Sequence, residues 1–416
     1  MSTIEIIGGK HLYGEVSIQG SKNAVLPILA ASLLNKGVTK LNNCPKILDV
    51  INMIKILEHL GALIIWDLDS LIIDTSNLTT TVVPEQYVKE MRSSIIVLGS
   101  LLARQKEVTI TYPGGCSIGA RPIDLHLSAL KQLGVEVLEE DDNLICKAEK
   151  IVGTEITLEF PSVGATENTL LAAVLAEGVT TIKNAAKEPE IVELCCFLNS
   201  LGAKITGIGK DEIIVQGVEK LHDTTYTLIA DRIVAGTYLA AVQGAGGKVT
   251  LRDIDDSQLG AILSILRTTG SRITSGNDFI QIKANRRPKA ADIIRTKPYP
   301  YFPTDMQSQM LSVLSLAKGT SIMIENIFEA RYKTVHELIK MGADITVEGK
   351  VAIIKGVKKL YGANVNASDL RGGAGLVIAG LMAEGLTVVN NPIYIERGYE
   401  DICRDLAILS ADVKKV

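Results

Sequence analysis

Cys116 is the residue of this chain whose type and surroundings point most directly to chemistry. It lies in the segment PGGCSIGARPIDLH, residues 113–126, directly after two glycines and five positions before Arg121. Glycine permits turns that other residues resist, so this thiol is predicted to lie on a loop that solvent and ligands can reach. A cationic neighbour favours the thiolate, which is the nucleophilic form. We therefore expect a reactive thiol here, although most cysteines are small buried hydrophobes.

A second feature is a set of cationic residues that share one place, the start of a predicted helix. They are Lys22, Arg92, Arg121, Arg331, Arg371 and Arg397. Cations there oppose the helix dipole, and a local rule that is broken repeatedly suggests function. Helix N-termini already offer free N–H groups and positive potential, so added cations make strong anion sites. The pattern predicts a ligand with several negative charges, bound without a P-loop or a dinucleotide fingerprint, since the sequence has neither.

One carboxylate, Asp305 in the segment 301–305, precedes a predicted helix. An ordinary N-cap is the simpler interpretation of it. As a general base among so many cations it would have a lowered pKa, and it would need a substrate hydroxyl within hydrogen-bond reach. The five histidines have no ligand spacing, and Cys195 and Cys196 would project about 100° apart on a helix. We expect no metal site.

The composition limits the classes of protein that fit. A chain of 416 residues exceeds the roughly 250–300 at which one core stops growing, so two domains are expected. With 47% hydrophobic but only 4% aromatic residues, the cores are built from aliphatic side chains, as in α/β or α+β proteins. The net charge of −4 without a basic run predicts no nucleic-acid or membrane partner. Irregularly spaced cysteines and a start without a secretory signal favour the reducing cytoplasm.

The elements that must position these residues form a sixfold repeat. A helix-ending signature such as Leu60-Gly-Ala recurs with its centres at positions 61, 134, 202, 270, 342 and 410. Each unit is predicted as βαβαββ, and the sixth stops before its last strand. The N-terminal strands are predicted to complete it. Three units per domain then give domains at 22–229 and at 1–21 plus 230–416, joined by two chain crossings that suit a hinge.

The repeat and several motifs together resemble the UDP-N-acetylglucosamine 1-carboxyvinyltransferases of the EPSP synthase superfamily. The motifs are GSKN at 20–23, PGGCSIGARPIDLH at 113–126, SVGATEN at 162–168, PTDMQ at 303–307, and the late Arg371 and Arg397. The resemblance covers essentially the whole chain. It implies two inside-out α/β barrel domains, each of three βαβαββ repeats, that close over a cleft. It also implies cofactor-free transfer of the enolpyruvyl group of phosphoenolpyruvate to the 3′-hydroxyl of UDP-N-acetylglucosamine, with release of phosphate, as the first committed step of peptidoglycan synthesis.

The resemblance also implies a role for each matching residue. Catalytic roles fall to Lys22, Cys116, Asp305 and Arg397. Phosphoenolpyruvate would be held by Lys22, Asn23, Arg121, Arg331, Arg371 and Arg397. UDP-N-acetylglucosamine would be held by Asn23, Arg92, Arg121, Pro122, Ile123, Asp124, Leu125, Ser162, Val163, Gly164, Asp305 and Ile327. In this scheme Asp305 is the base for the sugar hydroxyl, and Cys116 protonates the methylene carbon.

Several alternatives stay open at this point. The acid role requires a protonated Cys116, whereas its cationic neighbours favour the thiolate. The resemblance also implies that the epoxide fosfomycin inhibits the enzyme by alkylating Cys116. Phe160-Pro161 stands where some relatives carry a lysine near the diphosphate. The alternative activities are 3-phosphoshikimate 1-carboxyvinyltransferase, whose members lack the cysteine loop, and a non-catalytic sugar-nucleotide-binding paralogue. The sequence makes no prediction of an oligomeric state.

Overall fold

A computed structural model describes residues 2–113, 123–285 and 287–416, which form two compact units. One unit consists of residues 2–19 and 230–416, and the other of residues 20–113 and 123–229. Each has its own core of isoleucine, leucine, valine and alanine side chains. No helix among the described residues is both long and apolar enough to cross a bilayer.

The helices and strands alternate along the chain in a regular way. The α-helices of the described ranges are α1 Lys22–Ser32, α2 Leu48–His59, α3 Glu85–Glu90, α4 Val97–Gln105, α5 Asp124–Gln132, α6 Val163–Ala173, α7 Pro189–Ser200, α8 Arg232–Ala245, α9 Gly260–Thr268, α10 Gln307–Leu314, α11 Thr334–Lys340, α12 Leu370–Met382 and α13 Ile402–Ile408. Short 3₁₀ helices span Arg92–Ile96, Asp256–Leu259, Thr304–Met306, Arg331–Lys333 and Pro392–Arg397. The strands are β1 Thr3–Ile7, β2 Leu12–Ser17, β3 Val38–Asn42, β4 Leu63–Asp67, β5 Ser70–Asp74, β6 Glu107–Thr111, β7 Glu136–Glu140, β8 Asn143–Lys147, β9 Glu155–Thr157, β10 Val179–Lys183, β11 Lys204–Thr206, β12 Glu212–Gln216, β13 Thr224–Thr227, β14 Gly247–Arg252, β15 Arg272–Ser275, β16 Phe279–Ala284, β17 Ile293–Arg295, β18 Thr320–Ile324, β19 Asp344–Glu348, β20 Val351–Lys355, β21 Asn364–Asn366, β22 Leu386–Asn390 and β23 Asp412–Lys415.

Each unit contains three small sheets with one shared pattern. In residues 20–229 the sheets run β13-β3-β5-β4, β6-β8-β7 and β9-β10-β12-β11. In the other unit they run β2-β14-β16-β15, β17-β18-β20-β19 and β21-β22-β1-β23. In each four-stranded sheet the first pair is parallel and the later pairs are antiparallel. The predicted βαβαββ units and α/β class are confirmed, and the strands of the described ranges form open sheets, not a closed barrel.

The N-terminal strand fills the gap in the sixth repeat, as predicted. β1 lies between β22 and β23 and is antiparallel to both, with Ile6 opposite Thr387 on one side and Val413 on the other. It takes the place that β12 holds in the third repeat. β2 then pairs in parallel with β14, and β13 pairs in the same way with β3. The strand that begins one repeat is thus supplied from a distant part of the chain.

The first helix of each repeat lies inside its unit. All 14 residues of α8 and 12 of the 13 residues of α12 are buried, and both helices pack on α10. In the other unit α4 packs on α1 and α6. Helices buried on every side must be apolar and rich in small residues, which these sequences are. The sheets lie outside with one face solvated, since strands such as β12 alternate exposed and buried residues.

The glycines of the repeated signature follow a common backbone requirement. Gly61, Gly134, Gly202, Gly270 and Gly342 have φ values of 110°, 93°, 100°, 112° and 94°. A residue with positive φ at the end of a helix lets the following N–H groups bond to the last helical carbonyl groups. Glycine adopts positive φ without the steric cost of a Cβ atom. In the sixth repeat Ser410 adopts the same sign of φ, 70°. The signature is therefore a helix-stop device.

Two glycines that have open space around them test this explanation. A Cβ on Gly270 or on Gly260 would meet nothing within 4 Å, but φ is 112° at Gly270 and −46° at Gly260. We expect Gly270→Ala to reduce the free energy of unfolding by about 1 kcal/mol or more through backbone strain, and Gly260→Ala to raise it by roughly 0.5 kcal/mol. Denaturant unfolding of both variants measures this. Equal effects would contradict the backbone explanation.

Candidate active site

The carboxylate of Asp305 is held between two arginines. Its Oδ1 accepts from Arg331 Nη2 at 2.9 Å, and its Oδ2 accepts from Arg371 Nη2 at 2.9 Å and Nε at 3.2 Å. The arginine side chains are only 2% and 4% exposed, whereas that of Asp305 is 25% exposed. Charge-assisted bonds of this kind are strong, and the two Arg371 nitrogens share one carboxylate oxygen. The carboxylate is thus held by two buried arginines, while part of its surface remains exposed to solvent.

Asp305 does not cap its helix, so the N-cap interpretation is wrong. It lies within the 3₁₀ turn before α10; neither this turn nor α10 has a side-chain cap bond, and the Asp305 carboxylate bonds to the arginines. Arg331 begins the 3₁₀ turn before α11, and Arg371 is the second residue of α12. Asp369 caps α12 by accepting from the Arg371 amide at 3.0 Å. The beginnings of three helices therefore meet at one carboxylate.

The buried donors around Asp305 favour an additional anion. Burial works to lower the pKa of Arg371, but Asp305, Tyr399 and Asp231 outweigh the effect of burial, so the pKa is raised. Among the described residues, Arg331 Nε and Arg371 Nη1 are buried and have no hydrogen-bond partner of good geometry. Buried donors without partners are costly, and an anionic ligand would satisfy them.

The turn after β18 is tied to the Asp305 turn by a residue that the sequence analysis missed. Glu325, 1% exposed, accepts from Thr296 Oγ1 at 2.8 Å, Thr304 Oγ1 at 2.9 Å and the Ile327 amide at 2.8 Å. A backbone amide has one proton, so the Ile327 group left for a sugar hydroxyl is its carbonyl oxygen. A carboxylate directly after a buried strand was the only sequence signal of this role.

Arg397 lies farther from a helix start than predicted. It is the last residue of the 3₁₀ helix before α13 and is half-buried, whereas α13 is capped by Asp401. The prediction that Arg397 begins the helix was wrong, because α13 begins only after its cap at Asp401, four positions later. The backbone after Arg397 is fixed by the Gln19 side chain, which donates to the Gly398 carbonyl at 3.2 Å and accepts from the Glu400 amide at 2.9 Å.

In the other unit, Lys22 is placed at the N-terminus of α1. Ser21 caps this helix, with its Oγ 3.4 Å from the Ala24 amide. The Lys22 ammonium lies 3.1 Å from Asp49 Oδ2 in the first turn of α2, and the Asp49 side chain is only 1% exposed. Asn23 follows Lys22 and is half-buried. The prediction that Lys22 begins a helix is confirmed.

His126 joins several of the residues that the sequence analysis connected with the nucleotide. Ser162 caps α6 and accepts from its third amide, while Val163 and Gly164 form the first turn. A Cβ on Gly164 would lie 2.7 Å from the His126 ring. Arg92 and Asp124 act on the same ring with opposite electrostatic effects. The structure therefore brings Arg92, Asp124 and the start of α6 together around a histidine that spacing alone did not single out.

The proton of neutral His126 can be located from its partner. Asn168 Oδ1 accepts from the Gly99 amide at 2.9 Å, and its Nδ2 donates to the Ile95 carbonyl at 3.1 Å and lies 2.8 Å from His126 Nδ1. An amide nitrogen only donates, so Nδ1 must accept and the proton lies on Nε2. That nitrogen is 3.0 Å from the position of a Cβ on Gly164. The Cε1–Nε2 edge of the ring therefore lies against the turn that begins α6.

Three predicted site residues, Cys116, Arg121 and Pro122, lie outside the described residues. Ile123, at the N-cap position of α5, is buried, and Leu125 on α5 is half-buried. No cluster of three or more histidine, cysteine or carboxylate side chains that could hold a metal occurs in the part of the chain that the structure describes.

Comparison with known proteins identifies the family. Residues 6–406 match the family model of EPSP synthase (3-phosphoshikimate 1-carboxyvinyltransferase). The chain belongs to the EPSP synthase family. Among curated members, it is 52% identical over 416 residues to UDP-N-acetylglucosamine 1-carboxyvinyltransferase 2 of Caldanaerobacter subterraneus subsp. tengcongensis, with 100% of both chains covered. It is 47% identical to UDP-N-acetylglucosamine 1-carboxyvinyltransferase 1 of Legionella pneumophila, covering 99% of this chain and 82% of that one.

Two solved structures share the fold of this chain. The enolpyruvyl transferase NikO from Streptomyces tendae superposes with a TM-score of 0.90 at 24% identity and covers 100% of this chain and 99% of its own. EPSP synthase from Acinetobacter baumannii has a TM-score of 0.77 at 17% identity and covers 100% of both chains. At these identities the likeness confirms the fold alone.

The buried His126 gives a pH dependence of stability. Burial is the largest cause of its lowered pKa, about 4 against an ordinary 6.5; Arg92 adds to the effect and Asp124 opposes it. Between these values the unfolded chain binds more protons, so stability falls as the pH falls. Relative to His126→Gln, the wild type should lose about 3 kcal/mol of unfolding free energy from pH 7 to pH 4. Denaturant unfolding at several pH values measures this, and parallel curves would contradict it.

Proposed function

We propose that this protein transfers the enolpyruvyl group of phosphoenolpyruvate to the 3′-hydroxyl of UDP-N-acetylglucosamine and releases phosphate. The observation that carries the proposal is the 52% identity to a UDP-N-acetylglucosamine 1-carboxyvinyltransferase over the full length of both chains. The loop motif around Cys116, present in this sequence, favours the same activity. The description of the family model favours a second candidate, transfer to shikimate 3-phosphate.

The cationic groups of both units suit the anionic substrates. Phosphoenolpyruvate carries a carboxylate and a phosphate, and we assign Lys22, Arg121, Arg331, Arg371 and Arg397 to them, with Asn23 beside Lys22. The buried and unpartnered nitrogens of Arg331 and Arg371 support this assignment, because they can donate to a carboxylate. All of these donors are cationic at neutral pH or uncharged, so none of them would repel the substrate.

The nucleotide is assigned to the group of residues around His126. Arg92 supplies a positive charge, and the N-terminus of α6 at Ser162, Val163 and Gly164 supplies backbone N–H groups suited to a diphosphate. The segment from Arg121 to Leu125 is assigned to the same nucleotide. Phe160-Pro161 offers no side-chain donor at this place, so backbone donors carry more of the binding.

Asp305 is assigned as the base for the sugar hydroxyl, with the Ile327 carbonyl as a second contact. Its carboxylate takes the hydroxyl proton as the 3′-oxygen bonds to C2 of phosphoenolpyruvate. The Cys116 thiol gives a proton to the C3 methylene carbon, which completes the tetrahedral intermediate. The Cys116 thiolate then takes a proton back from C3 as the bond from C2 to the phosphate oxygen breaks. The double bond is restored, and the departing phosphate takes the proton held by Asp305. Arg331 and Arg371 balance the negative charge throughout.

A phosphate-release assay with alternative acceptors tests the proposed activity. We expect release from phosphoenolpyruvate to require UDP-N-acetylglucosamine and to stop after treatment with fosfomycin, with a matching mass increase on the peptide that contains Cys116. Release that depends only on shikimate 3-phosphate would establish the second candidate. Binding of the sugar nucleotide without any release would identify a non-catalytic paralogue.

Asp305→Asn tests the assigned base. The change keeps the shape of the side chain but removes its charge and basicity, so kcat should fall by about 10²-fold or more. Near-ultraviolet circular dichroism and calorimetric binding of the sugar nucleotide check that the variant is folded. The matched control is Asp412→Asn, which removes an exposed ion pair to Lys10 in the same unit and should leave kcat unchanged. A kcat within twofold of wild type for Asp305→Asn would refute the assignment.

A further inference from the structure

A buried tyrosine, Tyr399, is connected by hydrogen bonds to the turn that carries Asp305. Tyr399 is 1% exposed, and its hydroxyl lies 2.8 Å from Thr237 Oγ1 on α8. Gln309 on α10 bonds to the same oxygen through Nε2 at 3.2 Å and also donates to the backbone carbonyl of Asp305 at 2.9 Å. One hydroxyl of α8 therefore connects Tyr399 to the turn that carries Asp305.

The direction of each hydrogen bond in this network is determined by its donors. Thr237 has one hydroxyl proton, and it donates to the Ile233 carbonyl at 2.8 Å, which can only accept. The Gln309 amide nitrogen can only donate. Thr237 must therefore accept from Tyr399, so the phenolic proton points to α8. The lone pairs of the Tyr399 oxygen are left for a donor on another side.

The Arg371 guanidinium acts on this hydroxyl through its charge. Burial raises the pKa of Tyr399, the charge of Arg371 and the bond to Thr237 oppose the rise, and the charge of Asp231 adds to it. Conversely, Tyr399 is one of the groups that outweigh the burial of Arg371. Arg371 Nη1 has no hydrogen-bond partner among the described residues, so the interaction between Arg371 and Tyr399 is electrostatic. The other two nitrogens of this guanidinium, Nε and Nη2, donate to the Asp305 carboxylate.

We propose that Tyr399 is a positioning residue for the reaction. Its hydroxyl bonds to Thr237 on α8, and this bond helps to fix the turn from which Asp305 meets the substrate hydroxyl. Gln309 closes the network by holding the backbone of Asp305 to the same threonine. The inference rests on the proposed function, because it assigns a task to Asp305.

The chain offers a matched control for this role. Tyr238, the neighbour of Thr237 on α8, is also 1% exposed, and its hydroxyl donates to Asp405 Oδ2 at 2.7 Å. Its hydroxyl proton goes to α13 and not to Thr237 or Arg371. Tyr238→Phe and Tyr399→Phe therefore each remove one buried hydroxyl while keeping the ring. Only the second change breaks the path to Asp305.

The test compares kcat and KM of the wild type and both variants, with the melting temperature of each. We expect both variants to lose some stability, because each breaks a buried hydrogen bond. Tyr399→Phe alone should lower kcat on the order of tenfold, with KM for the sugar nucleotide changed less than about twofold, because misalignment affects the chemical step and not nucleotide binding. A kcat for Tyr399→Phe within twofold of Tyr238→Phe would overturn the inference.

A second variant keeps the test decisive if Tyr399→Phe folds poorly. Thr237→Val removes the same link from the other side and should lower kcat similarly, and the double variant should be no slower than the slower single variant. Additive losses would overturn the shared path. The wild type is measured with both UDP-N-acetylglucosamine and shikimate 3-phosphate. Activity with neither contradicts the proposed function itself, whereas an active wild type with unaffected variants contradicts only the role of Tyr399.

Discussion

The bonding of one partly exposed carboxylate to two buried guanidinium groups is the interaction on which the rest of the structure depends. Removing arginine from water is costly unless its charge is paired and its donors are used. Asp305 supplies the charge for both Arg331 and Arg371, and the turn that carries it is fixed by Glu325 and Gln309. The carboxylate is oriented by the same bonds that make the burial of the arginines tolerable.

The inside-out packing of each unit is what makes this arrangement possible. Arg371 and Asp305 can meet because α10 and α12 approach very closely. A Cβ on Gly375 would lie 2.9 Å from the Ser308 carbonyl oxygen, and Ser312 Oγ donates to the Gly375 carbonyl at 2.8 Å. A larger residue at position 375 would separate the two helices. The small residues of RGGAGLVIAGLM thus act on the site through helix spacing, which connects an unremarkable apolar sequence with the geometry of a charged centre.

Periodic features of the sequence predicted the fold well, whereas features that depend on long-range contacts were missed. The repeat of helix-stop glycines identified the βαβαββ units, and the incomplete sixth unit predicted the place of β1. The N-cap interpretation of Asp305 failed because its arginine partners are 26 and 66 positions away. His126 and Tyr399 were missed for the same reason. The His126 ring bonds to Asn168, 42 positions away, and the Tyr399 hydroxyl bonds to Thr237, 162 positions away. Local spacing carries no signal of such contacts.

A crystal structure of the protein with UDP-N-acetylglucosamine bound tests the central claim most directly. The quantity to measure is the distance from the sugar 3′-oxygen to the nearest carboxylate oxygen of Asp305. We expect a hydrogen bond of about 2.6–3.2 Å, with both arginines still bonded to the same carboxylate. A 3′-oxygen bonded to a different side chain, or an Asp305 released from Arg371 and turned away from the sugar, would contradict it.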